Sequence, residues 1–263
     1  MSDRSRLLFL YTGGTLSMVK SGSPGHLVPT DSAPNLTALV PSLEQLADID
    51  GRLVTNVDSS DLTPADWGRL ATAIADAHDD YDAFIVVHGT DTMTFTACAL
   101  SFMLGGDHKP IVMTGSQRPL NEARTDARVN LVHSAICAKM DFREVSLYFG
   151  NHLFRGNRAT KTSVHAYDAF ASPNHPPLVE LGVDIERIGP SLKRTGPLTV
   201  NTDVCTDVAV LSAFPGMEPT AIDALTDAGK RVIMLRGFGE GNLPQAGWPS
   251  AIRNATASGV QIL

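Results

Sequence analysis

The chain has 263 residues, 43% of them hydrophobic and 19% charged, which is enough apolar material for a packed core and too much for a disordered chain. Lys plus Arg number 21 against 28 Asp plus Glu, a formal net charge of −7 at pH 7; this argues against a nucleic-acid or anionic-membrane surface, which needs clustered positive charge. The three cysteines, Cys98, Cys137 and Cys205, make neither a disulfide framework nor a CxxC zinc pair.

The first apolar run, residues 6–11, reads as a buried parallel strand. Only five apolar residues precede Gly13-Gly14, short of the roughly 7–15 of a secretory segment. No stretch approaches the roughly 18 apolar residues of a membrane span. The expected location is therefore the cytoplasm, with no membrane partner. Residues 64–81 carry Trp67, Leu70, Ala71, Ile74 and Ala77 at helical spacing, with Thr63 as N-cap and Pro64 as first residue. Further strands are expected at 83–87, 110–114, 145–149, 208–212, 232–235 and 260–263. Helices are expected at 94–104, 126–140 and 219–228, with Gly229 as a stop. Cys98 and Cys137 fall in these apolar helical patterns and read as buried small hydrophobes.

Repeated strand–helix units imply an α/β fold: a mostly parallel sheet with flanking helices. Residues 189–206 are polar, aperiodic and contain Gly189-Pro190 and Gly196-Pro197, which marks a linker. The expected organisation is a larger N-terminal domain at 1–188, that linker, and a smaller α/β domain at 207–263. The chain stops inside the apolar run 260–263, and a parallel strand needs a following helix to cover it. The second domain is therefore expected to be incomplete.

Ligands of open α/β sheets bind beyond the carboxyl ends of the strands. There the sequence places Thr12-Gly13-Gly14-Thr15, His88-Gly89-Thr90-Asp91-Thr92, Gly115-Ser116-Gln117 and, after the fourth run, Arg155-Gly156-Asn157-Arg158-Ala159-Thr160-Lys161. Asp58-Ser59-Ser60-Asp61 precedes the 64–81 helix. Glycines admit close backbone approach and hydroxyls serve as nucleophiles or donors, so convergence of these loops predicts a catalytic edge. A GxSxG elbow and a Walker loop are absent, and Gly237-Phe238-Gly239-Glu240-Gly241 has the wrong spacing for a dinucleotide fingerprint. His88 and His152 read as structural strand-end histidines rather than metal ligands. Arg155 and Arg158 read as structural clamps, and Ser116 and Gln117 as turn residues.

YTGGT at 11–15, VDSSDLTP at 57–64, HGTDTM at 88–93, TGSQ at 114–117, RGNRATK at 155–161 and FASPNHPPL at 170–178 together resemble the bacterial L-asparaginases, and in detail the cytoplasmic type I enzymes. The resemblance implies hydrolysis of L-asparagine to L-aspartate and ammonia through a covalent threonine ester. By the same resemblance Thr15 matches the nucleophile, and Thr90, Asp91 and Lys161 match a second catalytic cluster. Asp58, Ser59 and Ser60, with Thr90 and Asp91, match the substrate-binding segment. Asn242 and Arg236 match second-domain positions near a subunit boundary, and a homodimer or homotetramer is implied. No metal or organic cofactor is required by this chemistry. The residues themselves agree: a zwitterionic amino acid needs a carboxylate and N–H or hydroxyl donors, a hydroxyl nucleophile needs activation, and tetrahedral intermediates need oxyanion donors. Burial and a neighbouring aspartate push a lysine in opposite directions, a contest that sequence does not decide, and Lys161 is read as a polariser of Thr90 in a Thr–Lys–Asp relay.

Two departures from the family pattern stand out. The resemblance implies a lid between Ser17 and about residue 30 that carries a tyrosine. This stretch has none, and His26 lies nearest that place. The other departure is the abrupt end. Alternatives within the same chemistry are a glutaminase-asparaginase and an asparaginase-like amidotransferase subunit, because one methylene changes binding by only about 1–3 kcal/mol. A non-catalytic amino-acid-binding relative is the alternative from another class.

Overall fold

The structure, a computed structural model, describes residues 4–13, 18–20, 27–29 and 35–263. Thr15 and His26 lie outside the described residues. The chain divides into two compact units between Thr202 and Asp203.

In the first unit, β1 (Arg6–Tyr11), β2 (Asp48–Leu53), β3 (Ala83–Val87), β4 (Ile111–Thr114), β5 (Val145–Phe149), β6 (His152–Arg155), β7 (Val179–Leu181) and β8 (Ile185–Arg187) form one sheet. Its spatial order is β8-β7-β6-β5-β4-β3-β1-β2. Strands β1 to β5 pair in parallel, and β6 to β8 continue the sheet antiparallel. In the parallel register Leu8 faces Phe84, and Val86 faces Met113. Strand β3, β1 from Leu7 onward, and β5 apart from Ser146 are apolar on both faces because both faces are covered. Leu8, Leu10, Phe84 and Val86 pack against α1 (Pro64–Asp76) and α2 (Met93–Met103). Leu7, Phe9, Tyr11, Ile85 and Val87 pack against α3 (Ala127–Ala138) and the turns around Leu36 and Leu43. The expected mostly parallel sheet with flanking helices is therefore present, with an antiparallel extension at one side.

Strand β2 has no counterpart among the expected strands. Its sequence, Asp48-Ile49-Asp50-Gly51-Arg52-Leu53, is polar because it sits at the sheet edge with most side chains in solvent. Helix α1 stops at Asp76 rather than near residue 81. Asp76, Asp79 and Asp80 crowd its carboxyl end, where the helix dipole disfavours negative charge. Within the expected linker, Thr199–Val200 pairs antiparallel with Leu104–Gly105. Cys137 is buried, whereas Cys98 is half-buried because it faces outward on α2. Inside the expected lid, Met18–Lys20 pairs antiparallel with Leu27–Pro29.

The second unit contains β9 (Val208–Ser212), β10 (Val232–Arg236) and β11 (Gln261–Ile262), all parallel, with α4 (Thr220–Asp227) and α5 (Trp248–Ala257). Trp248 is fully buried among Ile222, Ile233, Ala251, Ala255 and Val260. No helix among the described residues is long and apolar enough to cross a membrane.

Arg155 acts as a clamp in the first unit. Its Nε donates to Glu144 Oε2 at 2.6 Å, and a second guanidinium nitrogen donates to the Pro190 carbonyl at 2.8 Å. Glu144 Oε1 accepts from the Leu192 N–H at 3.0 Å. The Glu144 side chain is 1% exposed. Glu144→Ala leaves a cation in the interior without its partner, so it is expected to cost about 3–5 kcal/mol. Arg143→Ala, which breaks exposed pairs with Asp107 and Asp141, is expected to cost about 1 kcal/mol or less. Urea unfolding of the two variants checks the contrast, and equal midpoints would refute it.

Candidate active site

The parallel block has the order β5-β4-β3-β1-β2, so the direction of chain progression reverses between β3 and β1. Such a switch point, at the carboxyl ends of the strands, is where open α/β sheets bind ligands. The loops that leave it are Thr12-Gly13 after β1 and His88-Gly89-Thr90-Asp91-Thr92 after β3.

The connection at 57–61 is sewn between these two loops. The Val57 N–H donates to the Thr12 carbonyl at 3.1 Å, and Thr92 Oγ1 donates to the Ser59 carbonyl at 2.6 Å. Both glycines are demanded by this approach. Gly13 has φ +104°, and a Cβ there would stand 2.4 Å from the Val57 carbonyl oxygen; at Gly89 a Cβ would stand 2.7 Å from the Ser59 side chain. Asp58 caps the short 3-10 turn Ser59–Asp61. Its carboxylate accepts from the Ser60 hydroxyl at 2.6 Å and the Ser60 N–H at 2.9 Å. Those two bonds hold the Asp58 carboxyl below the ordinary carboxylate value.

Lys161 reaches the loop after β3 from the short antiparallel pair Thr160–Lys161 and Phe170–Ala171. Its Nζ donates to Thr90 Oγ1 at 2.8 Å and to Asp91 Oδ1 at 2.6 Å. The lysine side chain is 15% exposed and that of Asp91 66%, so the ammonium is enclosed while the carboxylate opens to solvent. Thr90 Oγ1 in turn donates to Gln117 Oε1 at 3.3 Å. Gln117 is fixed from behind: its N–H donates to the Asp126 carboxylate at 2.9 Å, and its side-chain amide donates to the Ala166 carbonyl at 3.1 Å. Asn130, one turn into α3, donates to the Gly115 carbonyl at 2.9 Å.

Thr90, Asp91 and Lys161 are thus in direct contact, and Asp58, Ser59 and Ser60 lie on the adjoining connection. Arg236 ends β10, and Asn242 pairs its backbone with Phe238 in the following turn; both belong to the second unit. Ser116 closes a turn through the Arg118 carbonyl, as its sequence context suggests. Gln117 does more than close a turn, because its side chain reaches Thr90. Neither Asp126 nor Asn130 was singled out by the sequence pattern.

His88 is buried in the core at the base of the loop. One ring nitrogen, Nδ1, lies 2.7 Å from the Gly89 carbonyl, and Nε2 lies 2.8 Å from Thr96 Oγ1. The Trp67 indole N–H donates to the same Thr96 oxygen at 3.0 Å. Burial pushes the His88 imidazole down to about 4, so it is neutral at physiological pH. This is the structural role expected of a strand-end histidine. Among the described residues no cluster of three or more His, Cys, Asp or Glu side chains forms a metal site.

Residues 6–191 match the family model described as Asparaginase, N-terminal. The chain is 40% identical to L-asparaginase 1 of Escherichia coli over 249 residues, covering 92% of this chain and 73% of that relative. It is 35% identical to the 60 kDa lysophospholipase of Mus musculus over 277 residues, covering 93% of this chain and 48% of that protein. L-asparaginase I of Vibrio cholerae superposes with a TM-score of 0.86 at 35% identity, covering 98% of this chain and 79% of that one. A sheet reversal flanked by the Thr12-Gly13 and HGTDT loops, a lysine seated on the second of them, and these similarities together make the chain a member of the asparaginase family.

Proposed function

We propose that the protein hydrolyses L-asparagine to L-aspartate and ammonia in two steps. The observation that carries this reading is the Lys161 ammonium, bonded at once to the Thr90 hydroxyl and the Asp91 carboxylate at the sheet's switch point. In the first step the Thr15 hydroxyl attacks the side-chain amide carbon of the substrate. A C–O bond forms, the hydroxyl proton passes to the departing nitrogen, the C–N bond breaks, and ammonia leaves a β-aspartyl threonine ester. In the second step water adds to the ester carbon, the bond from that carbon to the Thr15 oxygen breaks, a proton from the water returns to the Thr15 oxygen, and L-aspartate leaves. Thr90, polarised by Lys161, assists proton movement. The carboxylate of Asp91 takes the substrate's α-ammonium, and the Asp58-Ser59-Ser60 segment takes its α-amino and α-carboxylate groups. Asn242 and Arg236 belong to the boundary of a cytoplasmic homodimer or homotetramer, which sedimentation velocity tests.

The experiment is ammonia release from L-asparagine and, in parallel, L-glutamine. Release from asparagine with little from glutamine is expected; release from neither would refute the enzymatic reading, and equal rates would make the protein a glutaminase-asparaginase. In this reading His26 occupies the role of the lid tyrosine and accepts a proton near pH 7. His26→Ala is expected to lower kcat about 10²-fold, the lower end for a positioned acid–base group. Unchanged turnover would remove His26 from the mechanism.

A further inference from the structure

We propose that Trp67, Thr96 and His88 form a positioning chain that fixes the Gly89–Thr90 peptide and, through it, the hydroxyl and backbone N–H of Thr90. The proposal rests on the reading of Thr90 as a catalytic group.

The direction of every bond in the chain is forced. A carbonyl only accepts, so the contact of His88 Nδ1 with the Gly89 oxygen at 2.7 Å makes Nδ1 the protonated nitrogen. Nε2 then carries a lone pair, and Thr96 Oγ1, at 2.8 Å, donates to it. An indole N–H only donates, so Trp67 supplies the remaining bond to the Thr96 oxygen at 3.0 Å. Any other tautomer leaves two of these groups facing like with like. Thr96 and His88 are buried, at 0% and 1% exposure, and the neutral ring keeps the arrangement across the physiological range.

The Gly89–Thr90 peptide is trans, so its carbonyl and N–H point in opposite directions. Holding the Gly89 oxygen toward the imidazole turns the Thr90 N–H away from the core. The Thr90 side chain is held independently from the other side by Lys161 and Gln117. Two anchors thus fix one residue, the backbone through His88 and the hydroxyl through Lys161.

Simple packing gives no reason for this arrangement. Thr96 sits on the inward face of α2 with Met93, Ala97 and Leu100. A valine would fill the same volume without a polar atom, and three polar groups in an apolar layer are tolerated only when mutually satisfied. Misplacement of a reacting group by about 1 Å costs on the order of 10²-fold in rate, so the geometry of this peptide is worth such a device.

The test compares Thr96→Val, which removes the hydroxyl at constant shape, with Thr96→Ser, which keeps it. Thr96→Val is expected to lower kcat about ten- to a hundredfold while KM stays within about twofold, since a loss confined to the transition state leaves ground-state binding intact. Thr96→Ser should restore kcat to within about threefold of the parent. If Thr96→Val does not fold, Trp67→Phe removes only the outermost donor and should lower kcat in the same direction with KM held. A folded Thr96→Val with parental kcat, or one whose kcat and KM decline together without rescue by serine, overturns the proposal. A readout that needs no turnover separates this failure from that of the functional reading. In ¹⁵N-labelled protein the Thr90 amide resonance should shift in Thr96→Val and return in Thr96→Ser. An unmoved Thr90 signal rejects the positioning chain even if the parent protein releases no ammonia.

Discussion

Thr15→Ala is expected to reduce ammonia release from L-asparagine by at least about 10⁴-fold, because deleting a covalent nucleophile removes the route itself rather than one of its supports. Asparagine should still bind, since the groups proposed for its α-ammonium and α-carboxylate, Asp91 and the 58–60 segment, are untouched. A trapping experiment makes the prediction specific. With hydroxylamine present, the parent protein should yield β-aspartyl hydroxamate from the ester, and Thr15→Ala should yield none. A variant that continues to form hydroxamate at the parental rate would show that another hydroxyl carries the acyl group.

The second large effect is expected at Lys161. Its side chain is largely enclosed, and its ammonium makes bonds of 2.8 and 2.6 Å to Thr90 and Asp91. Lys161→Met keeps the apolar stem and removes every donor of the ammonium, so kcat should decline about 10²–10⁴-fold, the range for a positioned proton-transfer group. Thr90→Val should behave similarly. If hydroxyl and ammonium act as one unit, the double variant is no slower than the slower single one. Multiplied losses would instead mean that the two groups work independently. Stability separates activity from folding here. Both variants retain the Glu144–Arg155 clamp and the cores on the two faces of the sheet, so their urea midpoints should lie close to that of the parent.

The fold was legible where burial acts on both faces of a strand. Runs such as Phe84-Ile85-Val86-Val87 are apolar throughout because helices cover each side, and a reader of the sequence meets that as an uninterrupted hydrophobic string. Strand β2 was illegible for the converse reason: an edge strand in solvent takes its conformation from hydrogen bonds to β1, not from the character of its side chains. The antiparallel β6 to β8 were missed because three- and four-residue strands carry too little pattern to separate from loop.

The site divides along the same line. Thr90, Asp91 and Lys161 were nameable from motifs, because chemistry of this kind restricts residue type at fixed points beside a strand end. What no spacing could provide was the contact itself, since Thr90 and Lys161 stand 71 residues apart. Gln117, Asp126 and Asn130 are ordinary turn and helix residues in one dimension, and only the folded arrangement of the loop after β4 gives them their partners. Thr96 is the clearest case, a threonine in an apolar helix with nothing to mark it until α1 brings Trp67, and the end of β3 brings His88, to its hydroxyl. Composition and local pattern thus determined the layers of this protein and the residue types of its chemistry, because those follow from burial and backbone preference near each residue. Tertiary structure alone decided which polar groups meet, because a buried hydrogen bond exists only where separate elements place donor and acceptor within about 3 Å of one another.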